Sequence, residues 1–354
     1  MKQSLIITLS LIVFCGSIFA LKVVPQNSYE IMTEEWINSQ VNCIIFDDYT
    51  AWLGTDSGVM SSTLDFPNIM DVFDVQSVRL PSNNITALAL KGAGTLWVGT
   101  DNGLAILDAF NYGATIPKSS PLKGWTVKAL AVEKSGKLWA NAFTVDYGTG
   151  DMKESGLLGF DGKTWQSFTS QKSSLAEDLF NTIVIGTDNT KWLGTTYNPF
   201  YQEFGSGLCS YDGKTFKTYE LPGRGSVECM AMDARGNLWM GLASLAEGGI
   251  SGDGLAKFDG KTWTYYNTEN SGIPGDYISS ISIAKDGKIW MAVSDTSEGY
   301  PAPVGLVSFD GKEWKILNHK LLSGYNAEIT ALAVDPEGKI WVGKGDGLVV
   351  VKFK

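Results

Sequence analysis

The sequence predicts an all-β protein, a seven-bladed β-propeller of four-stranded antiparallel blades. Seven tryptophans, Trp52, Trp97, Trp139, Trp192, Trp239, Trp290 and Trp341, each open a short apolar strand after a polar turn. Their spacings of 45, 42, 53, 47, 51 and 51 residues place one copy in each blade-sized unit, and seven units nearly exhaust the 354 residues. The composition agrees, since 44% hydrophobic residues, 12% aromatic residues and 40 glycines suit short strands and tight turns rather than a helical or disordered chain.

The first twenty residues stand apart from the repeats. Lys2 precedes an apolar run from Leu5 to Phe14, and small residues lead up to Ala20. This is the pattern of a secretory signal peptide, so residues 1–20 are read as the signal and 21–354 as a single propeller domain. The run falls short of the roughly 20 apolar residues a membrane span needs. Phe14 stands before Cys15 where a lipoprotein site wants a small residue, so anchoring through Cys15 is not expected. The mature protein is read as periplasmic or secreted, without membrane insertion.

Cleavage behind Ala20 would remove Lys2 and no acid, taking the formal charge from -10 to -11. Such a chain repels phosphate backbones, and nucleic acid is not expected as a partner. Cys43, Cys209 and Cys229 remain, an odd number without CxxC spacing, and each lies in an expected strand, so they are read as buried thiols.

The repeat around Trp290 spells out a whole blade. Tyr277 to Ala284 alternates as strand a, Lys285 to Lys288 makes a turn, and Ile289 to Val293 is strand b. Gly305 to Phe309 is strand c and Lys312 to Leu317 strand d. The Asp-Gly-Lys turn between c and d recurs at Asp161, Asp212, Asp259 and Asp310, and Asp-Gly predicts type I′ hairpins with positive φ at both central residues. Aromatics flank these turns in pairs: Phe160 with Trp165, Tyr211 with Phe216, Phe258 with Trp263, Phe309 with Trp314. Large side chains at a fixed place in every repeat pack between blades, because no blade buries its own face alone. They are read as core, together with the seven tryptophans, and not as sugar-stacking platforms.

The last repeat runs through strand c to Phe353 and stops without a strand d. The segment from Ser28 to Thr33 precedes the first strand a, Val41 to Phe46, and belongs to no earlier blade. It is expected to supply the missing outer strand and so remove two unpaired edges.

Ile329-Thr-Ala-Leu-Ala-Val-Asp335, Gly338-Lys-Ile-Trp341-Val-Gly343 and Gly347-Leu348 resemble the two-component regulator propeller repeat. So do Ile85-Thr-Ala-Leu88, Leu96 to Leu104, and the leads into strand a at Leu80 to Ile85 and Gly272 to Ile278. The resemblance covers nearly all of the chain after residue 20. It implies the periplasmic part of a bacterial hybrid sensor, which recognises extracellular signals, often carbohydrate fragments, ahead of a transmembrane helix and a kinase. The sequence ends at Lys354 on the last strand, so neither output region is expected within it. The implied role is an exported recognition or scaffold propeller.

Geometry narrows the expected site. The a-to-b and c-to-d turns of an up-and-down blade fall on one face, and the b-to-c and d-to-a connections on the other. From the anchor Trp to the Gly opening strand c there are 6 residues in blades 1, 2 and 7, but 17, 15, 15 and 15 in blades 3 to 6. Loops longer than a hairpin requires commonly carry binding. The inserted stretches, 142–155, 195–206, 242–253 and 294–304, contain the candidate ligand-binding residues Phe143, Tyr147, Tyr197, Phe200, Tyr201, Phe204, Glu203, Glu247, Asp253, Asp295 and Tyr300. Tyrosine suits stacking on a sugar ring or anchoring a peptide while its hydroxyl stays hydrogen-bonded. Equally, such aromatics can pack down and pin their own loops.

Catalytic signals are weak. His319 is the single histidine, which excludes a multi-histidine metal site, and no P-loop, nucleophile elbow or EF-hand spacing occurs. No catalytic residue, metal or cofactor is therefore assigned, and scattered loop acids are read as solubility rather than a calcium site. Streptogramin lyases use a histidine in the channel, and quinone-cofactor propellers carry a different tryptophan motif, so both fit poorly. The expected function is recognition of carbohydrate or peptide, or of another exported protein, on the face with long loops. Two alternatives stay open: a glycan-active hydrolase or lyase working through two carboxylates about 5 to 9.5 Å apart, and a structural interaction scaffold.

Overall fold

Each tryptophan repeat folds into one antiparallel sheet with its strands in the order a, b, c, d. The computed structural model describes residues 21–25, 28–65, 67–196, 207–221, 225–246, 249–298, 301–317 and 328–354. Among them are seven such sheets, and each strand a touches the strand a of both neighbours until the ring returns to its start. The expected seven-bladed propeller is what forms. Strand a is therefore innermost and lines the axis, while strand d is the rim.

Closure follows the expectation at the chain ends. Tyr29–Trp36 pairs antiparallel with strand c of blade 7, Gly347–Phe353, in register from Tyr29 opposite Phe353 to Trp36 opposite Gly347. The pairing runs three residues beyond Thr33. Lys22–Val23 adds a short parallel strand outside Trp314–Leu317, the strand d of blade 6, where Lys22 bonds Glu313. The N-terminal segment thus clasps two blades.

Six of the seven anchor tryptophans are buried against the blade that follows, and Trp192 is half-buried there. Trp52 packs with Ile85, Leu96 and Leu107 of blade 2, and Trp341 with Val41, Leu53 and Met60 of blade 1. In four gaps the partner is an aromatic pair stacked across the c–d hairpin. Phe160 lies 4.6 Å from Trp165, Tyr211 4.3 Å from Phe216, Phe258 4.3 Å from Trp263 and Phe309 4.2 Å from Trp314. The anchor of the preceding blade meets each pair edge-on, as Trp97 does Phe160 at 5.9 Å and 89°. Edge-to-face contact brings the positive ring edge to the negative ring face.

Two residues after most anchors stands a glycine, and the close approach of the next blade requires it. A Cβ on Gly99 would lie 2.7 Å from Val127 Cγ1, and one on Gly343 2.7 Å from Val41 Cβ. Blade 3 has Asn141 there instead. Its amide donates to Gly156 O and Asp178 O and accepts from Phe180 N, which ties blade 4 to blade 3 through polar bonds.

The c–d turns differ from the expected type I′. Only the glycine has positive φ, +94° at Gly162, and the loop is four residues long, between Phe160 and Trp165. The Asp side chain sets this shape. Asp161 Oδ1 accepts from Lys163 N and Thr164 N at 2.8 and 2.7 Å, and Oδ2 from Thr164 Oγ1, which wraps the backbone around the carboxylate. These bonds hold the Asp161 carboxyl down at about 2. The b–c insertions of blades 3, 5 and 6 are likewise more regular than loops, because they prolong strands b and c. Ser294 pairs Pro303, Ala243 pairs Gly252, and Thr144 pairs Lys153.

A carboxylate before the a–b turn caps four of the anchor indoles. Trp52 Nε1 donates to Asp47, Trp139 to Glu133, Trp239 to Asp233 and Trp341 to Asp335, at 3.0, 2.6, 3.1 and 3.0 Å. Blade 2 has no acid there, and Trp97 Nε1 has no partner among the described residues. Three of these carboxylates take part in links to the next blade, Asp47 by accepting from Gly94 N of blade 2 at 3.4 Å. Glu133 pairs with the buried Lys191 of blade 4 at 2.8 Å, while Asp335 faces Lys339, whose ammonium donates to Leu64 O of blade 1 at 3.0 Å. The three cysteines among the described residues are free, and burial pushes Cys43 up to about 12 and Cys209 to about 11, so neither thiol is a nucleophile at neutral pH.

Two outcomes follow for stability. Deleting residues 21–36 removes the outer strand of blade 7 and should lower the melting temperature sharply; an unchanged melt would refute closure by this strand. Burial works to raise the Glu133 carboxyl, but hydrogen bonds from Lys191, Asn189, Trp139 and Ser135 outweigh it and hold the group at about 2. Its contribution is complete above the ordinary value near 4.5 and is lost as pH falls through about 2. Glu133→Gln should cost about 3 kcal/mol at pH 7 by leaving Lys191 buried without its counter-ion. It should also flatten the fall in melting temperature between pH 4.5 and 2, which thermal denaturation across that window measures.

Candidate functional site

Strand a of every blade slips register at the same place. The extra residue is Asn42, Thr86, Lys128, Asn181, Glu228, Ser279 and Thr330 in blades 1 to 7. A β-bulge turns its extra residue out of the ladder. Here five of the seven, Asn42, Thr86, Lys128, Asn181 and Glu228, line a cavity of about 730 Å³ on the propeller axis.

Most of the bulged side chains work as bolts between blades. Asn42 Nδ2 donates to Ile85 O at 2.8 Å, Thr86 Oγ1 to Val127 O at 2.6 Å, and Asn181 Nδ2 to Val227 O at 3.2 Å. Ser279 Oγ donates to Ile329 O at 3.4 Å, and Thr330 Oγ1 closes the ring on Val41 O at 2.6 Å. Each bond joins the bulge of one blade to the buried carbonyl just before the bulge of the next.

Lys128 and Glu228 break the series. Lys128 makes no hydrogen bond or ion pair with another described residue, and its side chain is exposed to the solvent of the cavity it lines. Partial desolvation by the cavity wall lowers its ammonium pKa, and the charge of Glu228 partly restores it. Glu228 accepts from Ser226 Oγ at 2.6 Å and from the hydroxyl of Tyr277. Burial first, then the charges of Glu228 and Glu328, raises the Tyr277 phenol far above its ordinary range, so it stays a donor. In the gap that Glu228 leaves unbolted, Cys229 Sγ takes the carbonyl of Ile278 at 3.2 Å.

The mouth of the cavity lies on the face of the b–c insertions. Gln40 and Asn84 stand just before strand a of blades 1 and 2, Thr126 opens strand a of blade 3, and Phe143 sits opposite Thr126 on the prolonged strand b of that blade. Amides link the rim: Gln40 Nε2 donates to Asn42 Oδ1 at 3.0 Å, and Asn42 Nδ2 reaches Asn84 Oδ1 at 3.3 Å. Asp56 adds a second carboxylate, fixed by Gln40 N at 3.2 Å.

Of the residues expected from sequence, Phe143 lines this cavity and is half-buried. Tyr147 stands 96% exposed at the tip of the blade 3 hairpin and lines no part of it. Asp295 caps its own turn through Ser297 N and Oγ, at 2.9 and 3.1 Å. Asp253 is half-buried and accepts from Ser244 Oγ at 2.9 Å; burial first, then the charge of Asp276, raises its carboxyl. Tyr197, Phe200, Tyr201, Glu203, Phe204, Glu247 and Tyr300, and also His319, lie outside the described residues. Lys128, Glu228 and Tyr277 were missed. The signal was present, because the bulge falls 11 residues before the anchor Trp in blades 2 to 7 and 10 before it in blade 1.

Among the described residues, no group of three or more His, Cys, Asp or Glu could hold a metal ion, and no helix is long and apolar enough to cross a membrane.

Residues 79–102 match the family model described as two component regulator propeller, which bears out the resemblance of Ile85 to Leu88 and, as far as Asn102, that of Leu96 to Leu104. No curated protein matches the sequence. Among solved structures, the extracellular domain of a putative hybrid two-component system from B. thetaiotaomicron is similar, with a TM-score of 0.66 and 20% identity. The alignment covers 91% of this chain and 39% of that one. The corresponding domain of a second such system from B. thetaiotaomicron gives 0.66 at 17% identity, covering 91% and 41%. A streptogramin B lyase gives 0.62 at 13%, covering 92% and 97%. The chain spans about two fifths of the sensor domains it matches. At these identities the likeness is one of fold.

Proposed function

We propose that this chain is an exported, non-catalytic recognition propeller that binds a carbohydrate fragment or a peptide at the axial cavity, on the face carrying the insertions of blades 3 to 6. The cavity carries this reading. Its volume, about 730 Å³, falls in the range of small-molecule sites, and its lining of amides and hydroxyls with one aromatic at the mouth suits a polyol or a peptide backbone. The hybrid-sensor extracellular domains, the repeat match at residues 79–102 and the signal-like residues 1–20 support export and recognition. A hydrolase working through paired carboxylates would have to use Glu228 and Asp56, the two acids that line the cavity, and Asp56 is engaged at the rim by Gln40 N and Ser57 Oγ. A scaffold would favour a broad exposed patch over a concave polar cavity.

A glycan and peptide binding screen tests the proposal, comparing the wild type with Phe143→Ala and with the double change Tyr201→Ala and Tyr300→Ala. Loss of the Phe143 ring should weaken the ligand about three- to tenfold, the worth of one aromatic contact. Unchanged affinity in a folded Phe143→Ala protein would move the site away from the cavity mouth. Weakening by the double change alone would return it to the loops.

A further inference from the structure

We infer that Lys128 is the specificity-determining residue of the axial cavity and selects a ligand bearing a carboxylate, an inference that rests on the cavity being the binding site. At five of the seven equivalent positions a neutral Asn, Thr or Ser bolts one blade to the next. A lysine has no need of that place for folding: it makes no bond to Phe180 O, the carbonyl its counterparts would use, and Asn141 holds blade 4 through Phe180 N instead. A residue that abandons a local structural role while the fold compensates elsewhere marks a functional position.

The electrostatic setting defines the ligand. An ammonium that lines a cavity without a direct counter-ion is poised to gain one, and a hydrogen bond to a charged partner is about twice as strong as one between neutral groups. Glu228 stands in the same cavity, where its charge favours the ammonium form of Lys128 without contacting it. It is itself held by Ser226 and Tyr277, and its remaining acceptor capacity faces hydroxyl or amine donors. Acid toward Lys128, donors toward Glu228 and an apolar face toward Phe143 describe an acidic sugar or the carboxyl-terminal end of a peptide. What these share is the carboxylate.

Isothermal titration with four probes tests this: trigalacturonic acid against neutral trigalactose, and a free-acid tripeptide against its carboxyl-terminal amide. Wild type should favour at least one acid over its neutral counterpart by about 10- to 100-fold, the range expected for a hydrogen bond to a charged group. The arm that responds identifies sugar or peptide as the source. Lys128→Met should abolish the preference and Lys128→Arg should restore much of it. Equal binding of acid and neutral forms, or a preference that survives in Lys128→Met, overturns the inference and leaves the cavity as the site. Binding of none of the four at millimolar concentration also overturns it, while the broader glycan and peptide screen decides the cavity separately.

Discussion

A single hydrogen bond, from a bulged residue on one innermost strand to a buried backbone carbonyl on the next, sets the geometry of the axis. A propeller must keep seven sheets at one spacing around a centre where their strands crowd. The bulge presents a short polar side chain there, and the next blade's carbonyl would otherwise be buried without this partner. Glycine two residues after the anchor Trp lets the blades close to that distance, as the 2.7 Å approach of Val127 to a Cβ on Gly99 requires. Bulge and glycine act together, and the cavity is the space that remains.

Further out, apolar packing takes over. The anchor tryptophans fill the gaps, and their indole nitrogens need an acceptor when buried. The carboxylates at Asp47, Glu133, Asp233 and Asp335 supply it, and Glu133 also meets the buried Lys191 of the following blade. Polar axis, aromatic middle and strand-clasped rim therefore divide the work of holding the ring. The conserved geometry of the frame leaves the axis and one face free to vary.

The blade count, the strands of blade 6 and the closure by the N-terminal segment were legible in the sequence because each follows from a period or from a strand lacking a partner. The c–d turns were misread as type I′: Asp-Gly favours that turn in a two-residue loop, but the Asp161 carboxylate here gathers a four-residue one. Phe143 was legible as an aromatic in an insertion. Lys128 and Glu228 were not, because a bulge breaks the alternation by which strand faces are assigned and leaves no local mark. Only a comparison of all seven repeats, measured from the tryptophans, isolates one polar residue per blade between apolar neighbours. The two charged members then stand out against five neutral ones.

Chemical denaturation of Thr86→Val and Lys128→Met side by side separates frame from site most directly. Thr86 bolts blade 2 to blade 3 at 2.6 Å, so removing its hydroxyl should cost about 1 kcal/mol. Lys128 makes no such bond, so replacing it by a methionine of similar reach should leave stability nearly unchanged. Equal destabilisation by both changes would make Lys128 one more structural bolt and contradict the account.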